Sequence, residues 1–180
     1  MISRHVMKGN GIMTETTTNT STNQHSGLPH PGGRGLTGAA AALAYAGALP
    51  LIFIAVIIWA RPPGEDILLR QLASLYGGLL LAFFGGVRWG IAAMRHQGPD
   101  FRSLAGAVAP LLLAIPVFLM SIDPLRIALI AVALPVLLVD DLMATKKGSG
   151  APGWYLAVRI PLTVMLELAL LAILIRILLY

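Results

Sequence analysis

The sequence predicts an all-α fold, a polytopic membrane bundle of five transmembrane helices behind a disordered N-terminal tail. Three observations predict it. The 180 residues are 57% hydrophobic and 12% charged, and mean hydropathy is +0.79. Beyond residue 35 five long apolar stretches follow one another, separated by short turns that carry most of the charge. Each stretch approaches the roughly 20 residues that a helix needs to cross a bilayer core of about 30 Å, and a water-soluble domain of this size has no interior large enough for so much hydrocarbon.

Residues 1–35 hold a polar tract from Thr14 to Thr22 and then Gly27 to Gly35 with Pro29 and Pro31. Such a composition buries too little apolar area to fold alone, so it reads as a disordered polar tail. It lacks the apolar middle and small-residue cleavage site of a secretory signal, so the first helix is expected to be retained. Met7 and Met13 are alternative starts to Met1.

The membrane domain spans 36–180. Its first helix, about 36–60, is uncharged, with a kink expected at Pro50, and it stops at Arg61, Pro62, Pro63 and Gly64, a cation and three breakers in a row. Glu65 and Asp66 suit the positive N-terminus of the second helix, about 67–94. A turn with Gly98 and Pro99 leads to the third, about 103–122, which contains Pro110 and Pro116. Asp123 before Pro124 reads as an N-cap with proline at the first helical position, opening a fourth and shortest helix, about 125–143. A basic, glycine-rich loop from Lys146 to Gly153 follows, and Trp154 and Tyr155 sit where an aromatic belt would anchor the fifth helix, about 155–179.

Net charge is +5, yet the basic residues lie at helix ends, where they meet anionic headgroups and not nucleic acid. Arg4, Lys8, Arg34, Arg95, Arg102, Lys146 and Lys147 fall on the N-terminal side, against Arg61, Arg70, Arg126 and Arg176 on the other. The positive-inside rule then makes the N-terminus cytoplasmic and the C-terminus distal, with a bacterial inner membrane as the expected location.

Within the helices, Gly78, Ala82 and Gly86 form a four-residue stripe on which another backbone can pack closely. Arg88, beside Trp89, lies about nine residues and roughly 13 Å below the Gln97 turn; it either snorkels to an interfacial acid or marks a ligand pathway. Arg159, Thr163 and Glu167 recur at four-residue intervals and share one inward face of the fifth helix. Glu167 is the deepest charge, about 21 Å in, and its level differs from that of Arg88 by only about 7 Å. A buried Arg88–Glu167 contact is therefore expected, or else a protonated Glu167, since an unpaired carboxylate is too costly there. Asp140 and Asp141 face the unfavourable end of the fourth helix's dipole, with Arg159 the expected partner and Lys146 or Lys147 the solvent-exposed alternative.

No cysteine is present, and the histidines are His5, His25, His30 in the tail and His96 in a turn. Thiolate metal sites, iron–sulfur clusters, covalent haem and paired intramembrane histidine ligands are thereby excluded. There is no phosphate-cradling glycine loop, zinc-protease helix or nucleophile elbow. The residues thus identify no catalytic, metal or cofactor set, and no cofactor is expected.

Tyr76-Gly77-Gly78, the run Phe84 to Gly90 with its Gly-Gly-x-x-Trp-Gly element, and the run Trp154 to Thr163 with its Tyr-x-x-x-Arg-x-x-x-Thr element resemble the family named domain of unknown function 3429, whose eukaryotic members are called transmembrane protein 69. The likeness covers about residue 40 to the C-terminus. It implies a multi-helix membrane protein without an established activity, and it points to Arg88, Trp89, Arg159 and Thr163 as the family's natural site positions.

Three functions fit these residues. The foremost is a non-enzymatic structural, assembly or partner-binding factor whose buried charges set helix register and whose partner is a second copy or another membrane protein. The next is a small proton-coupled or anion transporter using Glu167 with Arg88 and Arg159. The last is a lipid-modifying enzyme built on Asp140 and Asp141, which lacks the acidic and histidine density that metal-assisted phosphoryl chemistry needs.

Overall fold

Interrupted apolar helices dominate the computed structural model, which describes residues 34–95, 98–148 and 150–180. Residues 1–33 of the expected tail 1–35, and all four histidines, lie outside the described residues, while Arg34 and Gly35 open the first helix. Six helices follow in order: α1 Arg34–Ala46, α2 Leu49–Ala60, α3 Ile67–Ala93, α4 Phe101–Leu119, α5 Asp123–Lys146 and α6 Tyr155–Leu179. Among the described residues no strand occurs, and five helical stretches are long and apolar enough to cross a membrane, α1 and α2 together supplying the first as Gly38–Ala60.

The kink expected at Pro50 is a two-residue interruption at Gly47 and Ala48. Proline lacks the N–H that would continue the helical ladder, and the bonds tighten just before it, with Ala48 N–H donating to the Tyr45 carbonyl at 2.9 Å. Gly47 and Ala48 separate α1 from α2, and the Tyr76 hydroxyl of α3 donates to the Gly47 carbonyl. A phenol is a suitable donor there, since an open carbonyl in hydrocarbon is costly.

Two other boundaries correct the sequence reading. Asp123 is the first helical residue of α5, not its cap; Ile122 occupies the N-cap, and Asp123 pairs with Arg126 at 3.5 Å. Far from being the shortest, α5 has 24 residues and α4 has 19. Because α5 runs on to Lys146, Asp140 and Asp141 lie inside its last turns and not at its end. At α4 the cap is Asp100, whose carboxylate accepts the Ser103 N–H at 3.4 Å.

Helix α3 packs along α4 and α5, α5 packs on α6, and α6 packs on α2. Leu81, Ile127, Ile130, Leu134, Leu166 and Leu170 form the fully buried centre. Glycines bring α3 close to its neighbours: a Cβ on Gly85 would fall 2.6 Å from the Ala107 carbonyl oxygen, and one on Gly77 would fall 2.7 Å from Ile130. Of the expected stripe only Gly78 is tightly covered, where a Cβ would fall 2.8 Å from the Phe118 ring; Ala82 is half-buried, and a Cβ on Gly86 would meet nothing within 4 Å. The close approach therefore runs one residue earlier, through Gly77 and Gly85. Outward-facing Phe53, Phe83, Leu111, Val136 and Leu168 are exposed, an apolar exterior suited to lipid. The protein is a multi-pass membrane helical bundle.

Candidate functional site

Near the N-terminal end of α6, three helices converge on one carboxylate. Asp141 of α5 is 5% exposed; its Oδ1 faces Arg88 Nε of α3 at 3.2 Å, and its Oδ2 faces Arg159 Nε of α6 at 3.3 Å. The Tyr155 hydroxyl also donates to Asp141 Oδ2, at 3.0 Å. Asp140, half exposed, pairs with Arg88 Nη2. Two guanidiniums and two carboxylates thus form a network that is neutral overall, in which Arg88 of α3, Asp140 and Asp141 of α5 and Arg159 of α6 fix three helices against one another.

Local sequence explains the convergence. Tyr155, Arg159 and Thr163 stand four residues apart and are all buried, so one stripe of α6 faces inward; of the expected Arg159–Thr163–Glu167 stripe, the first two lie on it buried and Glu167 is half-buried. The Thr163 hydroxyl donates to the Arg159 carbonyl at 2.9 Å, which satisfies it within the helix. Arg159 lies over the Phe84 ring, its guanidinium carbon 3.4 Å from the centroid, a cation–π contact in a dry setting. Its Nη1 and Nη2 have no hydrogen-bond partner.

The expected Arg88–Glu167 contact is not formed. Arg88 reaches Asp140 and Asp141, which end the same face of the bundle, whereas Glu167 stands two helical turns deeper than Arg159 and its Oε1 is buried without a partner. The expected Arg159 partnership with the aspartates is present at Asp141, while Lys146 and Lys147 are exposed. Trp89 is 48% exposed. Phe84 and Tyr155 were not foreseen as members, although the four-residue spacing from Tyr155 to Arg159 was visible in the sequence.

A second polar cluster sits at the opposite end of α6. Asp66, fully buried, pairs with Arg70 Nη2 at 2.7 Å. Arg176, 3% exposed, donates from Nη2 to the Arg61 carbonyl at 3.0 Å and covers the Tyr180 ring. Burial pushes the Asp66 carboxyl pKa up, but the hydrogen bond and charge of Arg70 outweigh it, and the net shift is downward. The i,i+4 spacing of Asp66 and Arg70 was the legible signal for this pair.

Among the described residues, no three His, Cys, Asp or Glu side chains gather as metal ligands. The two aspartates of the network are engaged by arginines, which leaves ion pairing and anion contact as its available chemistry. No curated protein and no solved structure matches the chain. The family described as "Protein of unknown function (DUF3429)" matches residues 36–175, a span that holds the whole Arg88–Asp140–Asp141–Arg159 network, and the chain belongs to it.

Proposed function

We propose that the protein is a non-enzymatic membrane factor, acting in assembly or partner binding, in which the Arg88–Asp140–Asp141–Arg159 network holds α3, α5 and α6 in one register. One observation carries the reading: Asp141 is shared by arginines from two different helices. A buried carboxylate between two cations serves specificity of packing more readily than turnover. The partner is a second copy or another membrane protein, docking on the lipid-facing surface. We place the chain in a bacterial inner membrane with the network on the cytoplasmic side, on the strength of the Lys and Arg distribution.

The second reading, a proton-coupled or anion transporter, draws on the unpartnered Oε1 of Glu167. A protonated Glu167 suits that setting, since an ionised carboxylate without a partner is costly. Against it, Arg88 is committed to the aspartates and Glu167 stands apart from them.

Reconstitution separates the two. Proteoliposomes are expected to pass protons and anions no faster than protein-free vesicles, while photocrosslinkers placed at Gly86 and Trp89 give a discrete adduct with a second copy or one membrane protein. Flux abolished by Glu167→Gln would replace the first reading with the second.

A further inference from the structure

A cavity of about 320 Å³ opens between α1, α3 and α6, within the usual size of small-molecule sites. Its walls are residues 40–47, from α1 into the break after it, 80–87 of α3, and 154–162, from the N-cap of α6 into that helix. They cover seven or eight residue steps, about 10–12 Å of helix. Since α1 and α6 start, and α3 ends, at the same face of the bundle, the cavity runs from near that face inward. Leu43, Phe83, Val87 and Leu162 make it apolar, and Arg159 is the one charged residue among those that line it.

Arg159 sits about 6 Å inside α6, 2% exposed and with both terminal nitrogens unpartnered. A guanidinium has five donors arranged in a fork that matches a carboxylate or a phosphate. Here Asp141 takes only Nε. The charge balance favours an incoming anion: Arg88 and Arg159 share one buried carboxylate, while the second, Asp140, is 49% exposed and its charge is correspondingly screened.

Beyond the assembly role, we propose that this cavity binds a single-chain anionic amphiphile, its carboxylate or phosphate oxygens on the free N–H groups of Arg159 and its acyl chain along the apolar walls of α1, α3 and α6.

The full chain in detergent tests this with three diazirine-bearing probes: a long-chain fatty acid, its methyl ester and a lysophospholipid. Saturable photolabelling by an anionic probe is expected, mapping to α1, α3 or α6 at the cavity. Arg159→Gln should weaken it about tenfold or more, the loss expected of a charge-assisted hydrogen bond. Ala44→Trp, which fills the cavity and leaves all four charged residues in place, should abolish it. Tighter labelling by the fatty acid assigns the head to a carboxylate, and tighter labelling by the lysophospholipid assigns it to a phosphate. Labelling of the unaltered chain by the methyl ester as strong as that by either anionic probe overturns the proposal without reference to any variant. So does labelling that survives Ala44→Trp, or a crosslink to a second copy at these walls in place of the probe.

Discussion

Arg88 and Asp141 meet across α3 and α5, Nε to Oδ1, at 3.2 Å, and the other oxygen of the same carboxylate holds α6 through Arg159. Removing the shared acid leaves two largely buried cations without it. Asp141→Asn is expected to lower stability by roughly 3–5 kcal/mol, the usual cost of breaking a buried ion pair from one side. The double change Asp141→Leu with Arg159→Met should recover most of that. Denaturant unfolding in detergent checks both.

Glycine substitutions in α3 should rank by what each new methyl group meets. Gly85→Ala drives a Cβ against the Ala107 carbonyl, which is backbone and cannot swing aside, for a loss of about 1–3 kcal/mol. At Gly78 the obstacle is the Phe118 ring, which can rotate, so the loss is smaller. Gly86→Ala meets open space and is expected to be neutral or to gain up to about 1 kcal/mol from helix propensity. Thermal melts of the three variants test the order.

Glu167 contributes no hydrogen bond through its buried Oε1. Glu167→Leu should therefore raise stability, by about 1 kcal/mol or more, because it removes a polar group buried at a cost. Unfolding of this variant beside the unaltered chain provides the measurement, and a large loss would mean that the carboxyl has a partner in the membrane.

At the start of α4, the Ser103 hydroxyl donates to the Asp100 carboxylate; burial slightly opposes the effect, and Arg95 adds to it, holding the group below its ordinary 3.8. A carboxylate whose folded value is depressed stabilises the fold fully above the unfolded value and loses that contribution as pH falls through the folded one. Protection of the Ser103 and Leu104 amides against hydrogen exchange should thus hold near neutrality and decline below about pH 4. In Asp100→Asn, which keeps an acceptor but cannot titrate, the decline should be absent.

The number of crossings was legible because hydrocarbon length is a one-dimensional property, readable from residues alone. Helix ends set by breakers, such as Ala60 before Arg61 and Pro62, were legible for the same reason. The partner of Arg88 was not. Depth along an axis can be counted at about 1.5 Å per residue, but the rotation of one helix against its neighbours cannot, so level alone matched Arg88 to Glu167, whereas packing aims α3 at the aspartates of α5. The extension of α5 from the expected 143 to Lys146 also sets both aspartates nearly a turn further from the helix end. The Asp66–Arg70–Arg176 cluster escaped notice because Arg176 is distant in sequence and meets the others only once α6 lies alongside.

The interruption at Gly47 and Ala48 divides the first crossing into two short rods joined at a pin. The inner rod, α2, is seated on α6, whereas the outer rod, α1, forms one wall of the Arg159 cavity. Tyr76 of α3 clasps the pin through the Gly47 carbonyl, so α3 braces the joint between the rod that lines the cavity and the rod seated on α6.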